Sequence, residues 1–175
     1  RLKLFLINNS DGFLSYTDYD KKIMQNYVSK KTNVISINNS CISKRICSYK
    51  KIGSDLIFIG RLDEDKNPIF LINLFYHLTL LNNFNKFIKL HLIGNGNLYH
   101  DVKNLIEKLK LNKRIIMYGK ITNNYQLKDI FMKSIITINP GTIGLSAMHS
   151  FAFGNFIISN KFLEHGPEIS ICNST

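Results

Sequence analysis

From residue 55 onward the chain repeats one alternation. A short apolar run ends at or near a glycine, and an amphipathic stretch follows. Asp55–Ile59 is the first apolar run, closed by Gly60. Asn67 and Pro68 then open a helix, proline being suited to the first helical position. Leu71, Leu74, Phe75, Leu78 and Leu81 form its apolar stripe. Phe87 to Ile93 is the next strand, ended by Gly94-Asn-Gly96, and Leu98, Val102, Leu105, Ile106 and Leu109 mark an amphipathic helix. Arg114 to Tyr118, ended by Gly119, precedes a helix from Asn123 to about Met132 that carries Leu127, Ile130 and Phe131. Ile135 to Ile138 leads into a turn with Pro140, Gly141 and Gly144. Leu145, Met148 and Ala152 then recur at helical spacing as far as Gly154. Asn155 to Ser159 is the last strand, and Lys161 to Glu168 is a loop.

The first third is less regular. Residues 1–9 alternate like a strand and are also short enough to be the end of a helix. Gly12 to Tyr16 and Asn33 to Ile37 read as strands. Asp18 to about Ser29 reads as a helix with Ile23, Met24 and Tyr27 on one face. Asn38 to Ser54 is polar, basic and without periodicity, which places a boundary or linker there. Apolar strands alternating with helices predict an α/β architecture: a Rossmann-like, doubly wound parallel sheet with helices on both faces. Ligands of such sheets bind outside the carboxyl ends of the strands. Here those ends bring Gly60-Arg61, Gly94-Asn95-Gly96, Tyr118-Gly119 and Pro140-Gly141 to one edge.

Composition changes this picture little. The chain has 175 residues, 45% hydrophobic and 20% charged, as an ordinary globular domain would. It starts at Arg1 without a methionine and is read as a piece of a longer protein. Its net charge is +11, which favours anionic partners: nucleotides, nucleic acid or an acidic membrane face. The lysines are scattered, however, and no basic tract is interleaved with aromatics, so no nucleic-acid partner is expected. Cys41, Cys47 and Cys172 make an odd set without metal spacing, consistent with reduced thiols in a cytoplasmic protein. No apolar run reaches spanning length.

The candidate chemistry lies on the glycine-bearing edge. A strand, a glycine turn and a helix point free N–H groups and a positive dipole end at an anion, so the turn before Leu145 reads as a phosphate site. Arg61 and Lys66 follow a strand directly and supply fixed positive charge suited to a diphosphate. Asp63-Glu64-Asp65 contains an Asp-x-Asp of the kind that can hold a metal. Standing beside two cations, it reads instead as a solvated turn or as the first-turn acids of the next helix. Gly94-Asn-Gly96 matches the start of a dinucleotide fingerprint, but Tyr99 stands at the third glycine. His149 falls at the rim of the apolar face of its helix, tilted toward the glycine turn. It is either a packed, hydrogen-bonded histidine or a ligand contact.

Taken in order, Leu56-Ile-Phe-Ile-Gly-Arg-Leu with Lys66, Leu92-Ile-Gly-Asn-Gly, Ile116-Met-Tyr-Gly, Asn139-Pro-Gly with Gly144-Leu and Phe153-Gly, and Gly166-Pro-Glu168 resemble glycosyltransferase family 4. The match is to the C-terminal, donor-binding half of its GT-B fold. The resemblance implies that residues 51–175 form a truncated nucleotide-sugar-binding domain. It implies that residues 1–50 are the tail end of the N-terminal acceptor domain with the interdomain connection, and that residues 1–9 end a helix.

It also implies roles. Arg61 and Lys66 grip the donor diphosphate as the catalytic cations. Gly60, Gly94, Gly96, Tyr118, Gly119, Gly141, Thr142, Ile143, Gly144, Leu145 and His149 form the donor site, with backbone N–H groups from Thr142 to Leu145 meeting the phosphates. The family usually carries two glutamates around the turn; Gly141 and His149 stand there, as in a variant branch associated with polysaccharide biosynthesis. The implied reaction moves a sugar from a UDP-, GDP- or ADP-linked donor to a glycan or lipid-linked acceptor. Retention at the anomeric carbon is expected, with no cofactor or metal. A cytoplasmic location with peripheral contact at the inner membrane face is expected too. The piece alone is expected to bind nucleotide without turning it over. The other readings of the residues are a non-catalytic nucleotide-sugar-binding module and a GT-B sugar-nucleotide epimerase.

Overall fold

The computed structural model describes residues 2–37, 51 and 53–172. Most of the expected linker, with Cys41 and Cys47, lies outside the described residues. The chain opens with helix α1 (Leu2–Asn8), strand β1 (Gly12–Ser15), helix α2 (Asp18–Gln25) and strand β2 (Asn33–Ser36). β1 and β2 pair in parallel as a separate two-stranded sheet. Residues 2–8 are therefore helical; of the two readings of that segment, the helix end stands. α2 starts where Thr17 caps it, its hydroxyl accepting from the Asp20 N–H at 3.1 Å. It stops before Tyr27, which is exposed.

The second unit runs β3 (Asp55–Ile59), α3 (Pro68–Thr79), β4 (Leu90–Ile93), α4 (Tyr99–Lys108), β5 (Ile115–Gly119), α5 (Asn124–Lys133), β6 (Ser134–Asn139), α6 (Leu145–Ala152) and β7 (Phe156–Ser159). A 3-10 turn, Glu64–Lys66, precedes α3, and another, Pro167–Ile171, follows β7. The five strands are parallel in the order β5-β4-β3-β6-β7. The chain thus winds outward from β3 in one direction, then crosses back to β6 and winds the other way. Between β3 and β6 lies the switch point, where the two loops diverge and leave a crevice at their carboxyl ends.

The core follows the period-two alternation of β3. Leu56 and Phe58 face Leu71, Ile72 and Phe75 of α3 and Val102 and Ile106 of α4. Ile57 and Ile59 face Leu127, Ile130 and Phe131 of α5 together with Phe153. The Phe131 and Phe153 rings stack 4.5 Å apart. Helices thus cover both faces of the central strands, as expected. The edge strand β7 is less covered: Phe156 and Ile158 are exposed.

Three boundaries move for local reasons. β4 begins at Leu90 rather than Phe87, because Asn85 turns the chain there: its side chain accepts from the Phe87 N–H and its carbonyl from the Ile88 N–H. β5 begins at Ile115; the preceding Arg114 reaches the Ile88 and Asn85 carbonyls and lies over the rings of Phe75 and Phe84. In α3 the buried positions are Pro68, Leu71, Ile72 and Phe75, so Leu74, Leu78 and Leu81 lie at or beyond the rim of the stripe.

Candidate active site

At the switch point, Ile59, Gly60, Arg61 and Lys66 from the β3 loop meet Gly144, Leu145, Ser146 and His149 from the start of α6. They line a cavity of about 320 Å³. Six of the residues expected in the site are therefore together: Gly60, Arg61, Lys66, Gly144, Leu145 and His149. The two cations differ in setting. The Arg61 side chain is 71% exposed, whereas that of Lys66 is 17% exposed. Lys66 Nζ donates to the Thr142 carbonyl at 2.8 Å and to Thr142 Oγ1 at 2.6 Å, and so is tied to the glycine turn.

Both cations already have counter-ions. Arg61 stands 3.1 Å from Asp63 and 3.8 Å from Asp65, and Lys66 stands 3.2 Å from Asp65. Asp65 Oδ2 also accepts from Thr142 Oγ1 at 3.1 Å. Partial burial pushes the Asp65 carboxyl up. Hydrogen bonds from Lys66 and Thr142 and the charges of Lys66 and Arg61 outweigh that, and the net shift is downward. Asp63 and Asp65 are therefore ion-paired within the loop rather than merely solvated, and Glu64 and Asp65 stand as acids in the first turn of the 3-10 helix. Asp63 also accepts from the Asn97 N–H at 2.9 Å, joining the β3 and β4 loops.

Gly141 faces the backbone of the 3-10 turn. A Cβ there would lie 2.5 Å from Lys66 Cα and would overlap the Asp65 carbonyl oxygen. The position thus admits no side chain at all, and the close approach lets the Thr142 N–H donate to the Asp65 carbonyl at 2.9 Å. The Ile143 N–H donates to His165 Nδ1 at 3.0 Å, and the Gly166 N–H returns to the Ile143 carbonyl at 2.8 Å. The amides of Thr142 and Ile143, expected to meet phosphate, are engaged within the protein. An added Cβ at Gly144, in contrast, meets nothing within 4 Å.

His149 is half-buried and its Nδ1 has no hydrogen-bond partner. Burial pushes its pKa below the usual histidine value, favouring the neutral ring. A neutral imidazole offers one donor and one acceptor, as hydroxyl recognition requires.

The remaining expected residues lie elsewhere. Gly94 and Gly96 allow the β4 loop to close on the β3 loop: a Cβ at Gly94, where φ is 144°, would overlap the Gly60 carbonyl, and one at Gly96 would meet the Leu62 backbone at 2.7 Å. Gly119 accepts from the Gly94 N–H at 2.8 Å. Tyr118 turns its hydroxyl to His91, 2.9 Å away, which in turn meets Asp55 at 2.9 Å. Burial and the Asp55 charge push the Tyr118 pKa up. Among the described residues, no group of three or more His, Cys, Asp or Glu is placed to hold a metal ion.

A second, mostly apolar cavity of about 580 Å³ lies between β1–α2 and the loop after β7, with Phe13, Tyr16, Tyr19, Met24, His165 and Pro167 in its walls. No helix among the described residues is long and apolar enough to cross a membrane.

A doubly wound parallel sheet with two cations, a glycine turn and the start of a helix at its switch point defines a Rossmann-like unit. More particularly, the chain belongs to the glycosyl transferases group 1, whose family model matches residues 49–173. It is 24% identical over 122 residues to the O-antigen biosynthesis glycosyltransferase WbnH of Escherichia coli, covering 70% of this chain and 33% of that protein. The chain thus spans about a third of the length of the curated relatives it matches. Its fold is that of GT-B glycosyltransferases. The pneumococcal O-GlcNAc transferase GtfA, solved with UDP and GlcNAc, superposes with a TM-score of 0.72 at 18% identity, over 93% of this chain and 33% of that one. HepE of Anabaena, solved with UDP and glucose, gives 0.68 at 12% identity, over 98% and 49%.

Proposed function

We propose that the chain is the donor-binding part of a family 4 glycosyltransferase that moves a sugar from a nucleotide-diphosphate sugar to a glycan or lipid-linked acceptor in cell-surface polysaccharide synthesis. The observation that carries the proposal is the convergence of Arg61, Lys66 and the start of α6 on one cavity at the switch point. Negative charge grows on the leaving diphosphate as the glycosidic bond breaks. Fixed cations and a helix N-terminus stabilise that charge more in the transition state than in the ground state. On this reading Arg61 turns from Asp63 and Asp65 to the diphosphate, and Lys66 meets it from the glycine turn. His149 recognises a nucleotide hydroxyl. The two cations take over the part a metal would otherwise play, and the reaction proceeds with retention. Residues 1–50 belong to the acceptor-side domain, and the apolar cavity beside His165 lies on the acceptor's side of the site. Reaction occurs on the cytoplasmic side of the membrane.

Thermal unfolding with UDP, GDP and ADP tests this reading. One of the three raises the melting temperature, and Arg61→Ala with Lys66→Ala abolishes the rise while the ligand-free protein stays folded. No rise with any of the three would reject the proposal. A second reading, a binding module without turnover, is motivated by the steric exclusion of any side chain at Gly141. Full-length protein that binds a donor yet neither hydrolyses nor transfers it would favour that reading.

A further inference from the structure

The peptide unit between Thr142 and Ile143 is held at both ends by side chains from other loops. Its carbonyl oxygen accepts from Lys66 Nζ at 2.8 Å. Its N–H donates to His165 Nδ1 at 3.0 Å. The unit is planar and trans, so its C=O and N–H point in opposite directions and turn together. A group that fixes one end therefore fixes the direction of the other. Lys66 closes the 3-10 turn after β3, and His165 stands in the loop after β7, 22 residues from Ile143 in the chain.

The His165 ring is itself fixed. Its partner at Nδ1 is an N–H, so Nδ1 accepts and the ring proton sits on Nε2. From there it donates to the Asn160 carbonyl at 2.7 Å. The next residue of the loop repeats the grip, the Gly166 N–H donating to the Ile143 carbonyl at 2.8 Å. Ile143 is 2% exposed, so without an acceptor at position 165 its N–H would be left buried and unpaired. Rotating the peptide plane would relieve that cost and would carry the Thr142 carbonyl away from Lys66. The Lys66 side chain is 17% exposed, and its other partners are Thr142 Oγ1 and the Asp65 carboxylate.

We propose that His165 is a positioning residue for Lys66. Through the one peptide unit they share, it holds the Lys66 ammonium at the cavity that Lys66 lines with Arg61 and His149, although His165 is not among the residues lining that cavity. This rests on the nucleotide-sugar reading above. It adds what keeps Lys66 aimed when a diphosphate competes with Asp65 for its charge.

A double-variant cycle on the full-length protein tests the proposal. Dissociation constants are measured for whichever of UDP, GDP and ADP binds the wild type. His165→Phe keeps a flat ring without an acceptor, and His165→Asn places its Oδ1 close to where Nδ1 stood. Lys66→Ala and the pair His165→Phe with Lys66→Ala complete the set. The melting temperature of each ligand-free variant is recorded, so that unfolding is not read as weak binding. His165→Phe is expected to weaken binding about tenfold, as the loss of one good hydrogen bond would, and His165→Asn to stay within about threefold of wild type. In the Lys66→Ala background His165→Phe should add less than about twofold, because the group it positions is gone. Nitrogen NMR gives a second reading without ligand: the His165 proton is on Nε2, and the Ile143 amide signal moves in Lys66→Ala. Unchanged binding in His165→Phe overturns the proposal, and so do losses that add in full across the pair. An Asn variant as weak as the Phe variant overturns it too, as does a proton on Nδ1 or an Ile143 amide indifferent to Lys66. A wild type that answers to no diphosphate rejects the underlying reading, and does so before any variant is compared.

Discussion

The two sheets of this chain are built from the same parallel strand–helix units, yet one is a core and the other a surface. β4 is buried at every position and β3 at all but its first. In β1 and β2 only Ser15 and Val34 are buried, and neither α1 nor α2 buries any residue. Leu14 and Ile35, partners in register, are both exposed. The difference lies in layering. The central strands carry helices on both faces, whereas two strands with α2 beside them cannot enclose a second apolar face. The same kind of sequence pattern therefore yields stability in one place and an unburied face in the other.

The largest effect that would break this comparison comes from truncating matched side chains. Phe131→Ala, which removes one of the stacked rings between sheet and α5, should cost about 3–5 kcal/mol in denaturant unfolding. Leu14→Ala should stay within about 0.5 kcal/mol of wild type. Similar losses at both would mean that the leading sheet is packed as tightly as the central one.

Next in size is a contrast inside the glycine turn. Gly141→Ala forces a methyl into the Asp65–Lys66 backbone and should destabilise by about 2–3 kcal/mol, with weaker nucleotide binding. Gly144→Ala, which meets open space, should leave stability within about 1 kcal/mol. Hydrogen exchange should sharpen the contrast between sheets. Amides of β3 and β4 should exchange only by global unfolding, and those of α1 and α2 by local opening at much lower cost.

The smallest effect is a pH dependence. Burial lowers the His149 pKa below the 6.5 of an exposed histidine. Between the two values the unfolded chain binds more protons than the folded one, so stability rises with pH through that window and levels off above about 6.5. His149→Gln should flatten the fall in melting temperature on acidification from neutral pH to about pH 5. A fall of unchanged depth would assign the dependence to other groups.

The strand–glycine junctions are legible in the sequence because a buried parallel strand must be apolar and its exit must turn sharply. Arg61 and Lys66 are legible for the same reason, since their place follows from the end of β3. Other features are not. That Gly141 is a steric necessity depends on a backbone some 75 residues away in the chain, at Asp65 and Lys66. Asp63 and Asp65 as counter-ions, and His165 as the acceptor for the Ile143 N–H, are pairings that no local period encodes. Gly94 and Gly96 mimic a nucleotide fingerprint in sequence, yet their reason in space is the approach of one loop to the next. Tyr118 sits at a strand end, and its ring turns back along the sheet to His91.

The unequal setting of the two cations has a thermodynamic consequence. Lys66 is already held by Thr142 and Asp65, so its rotamers are fixed before any anion arrives. Arg61 still has most of its side chain in water, and on the proposed reading it must be stilled when the diphosphate binds, at an entropic cost of about 0.5–1.5 kcal/mol. On that reading one cation is a fixed anchor and the other a latch that closes with the diphosphate. Calorimetry of the two single variants should tell them apart: loss of Arg61 removes an unfavourable entropy together with its enthalpy, and loss of Lys66 removes enthalpy alone.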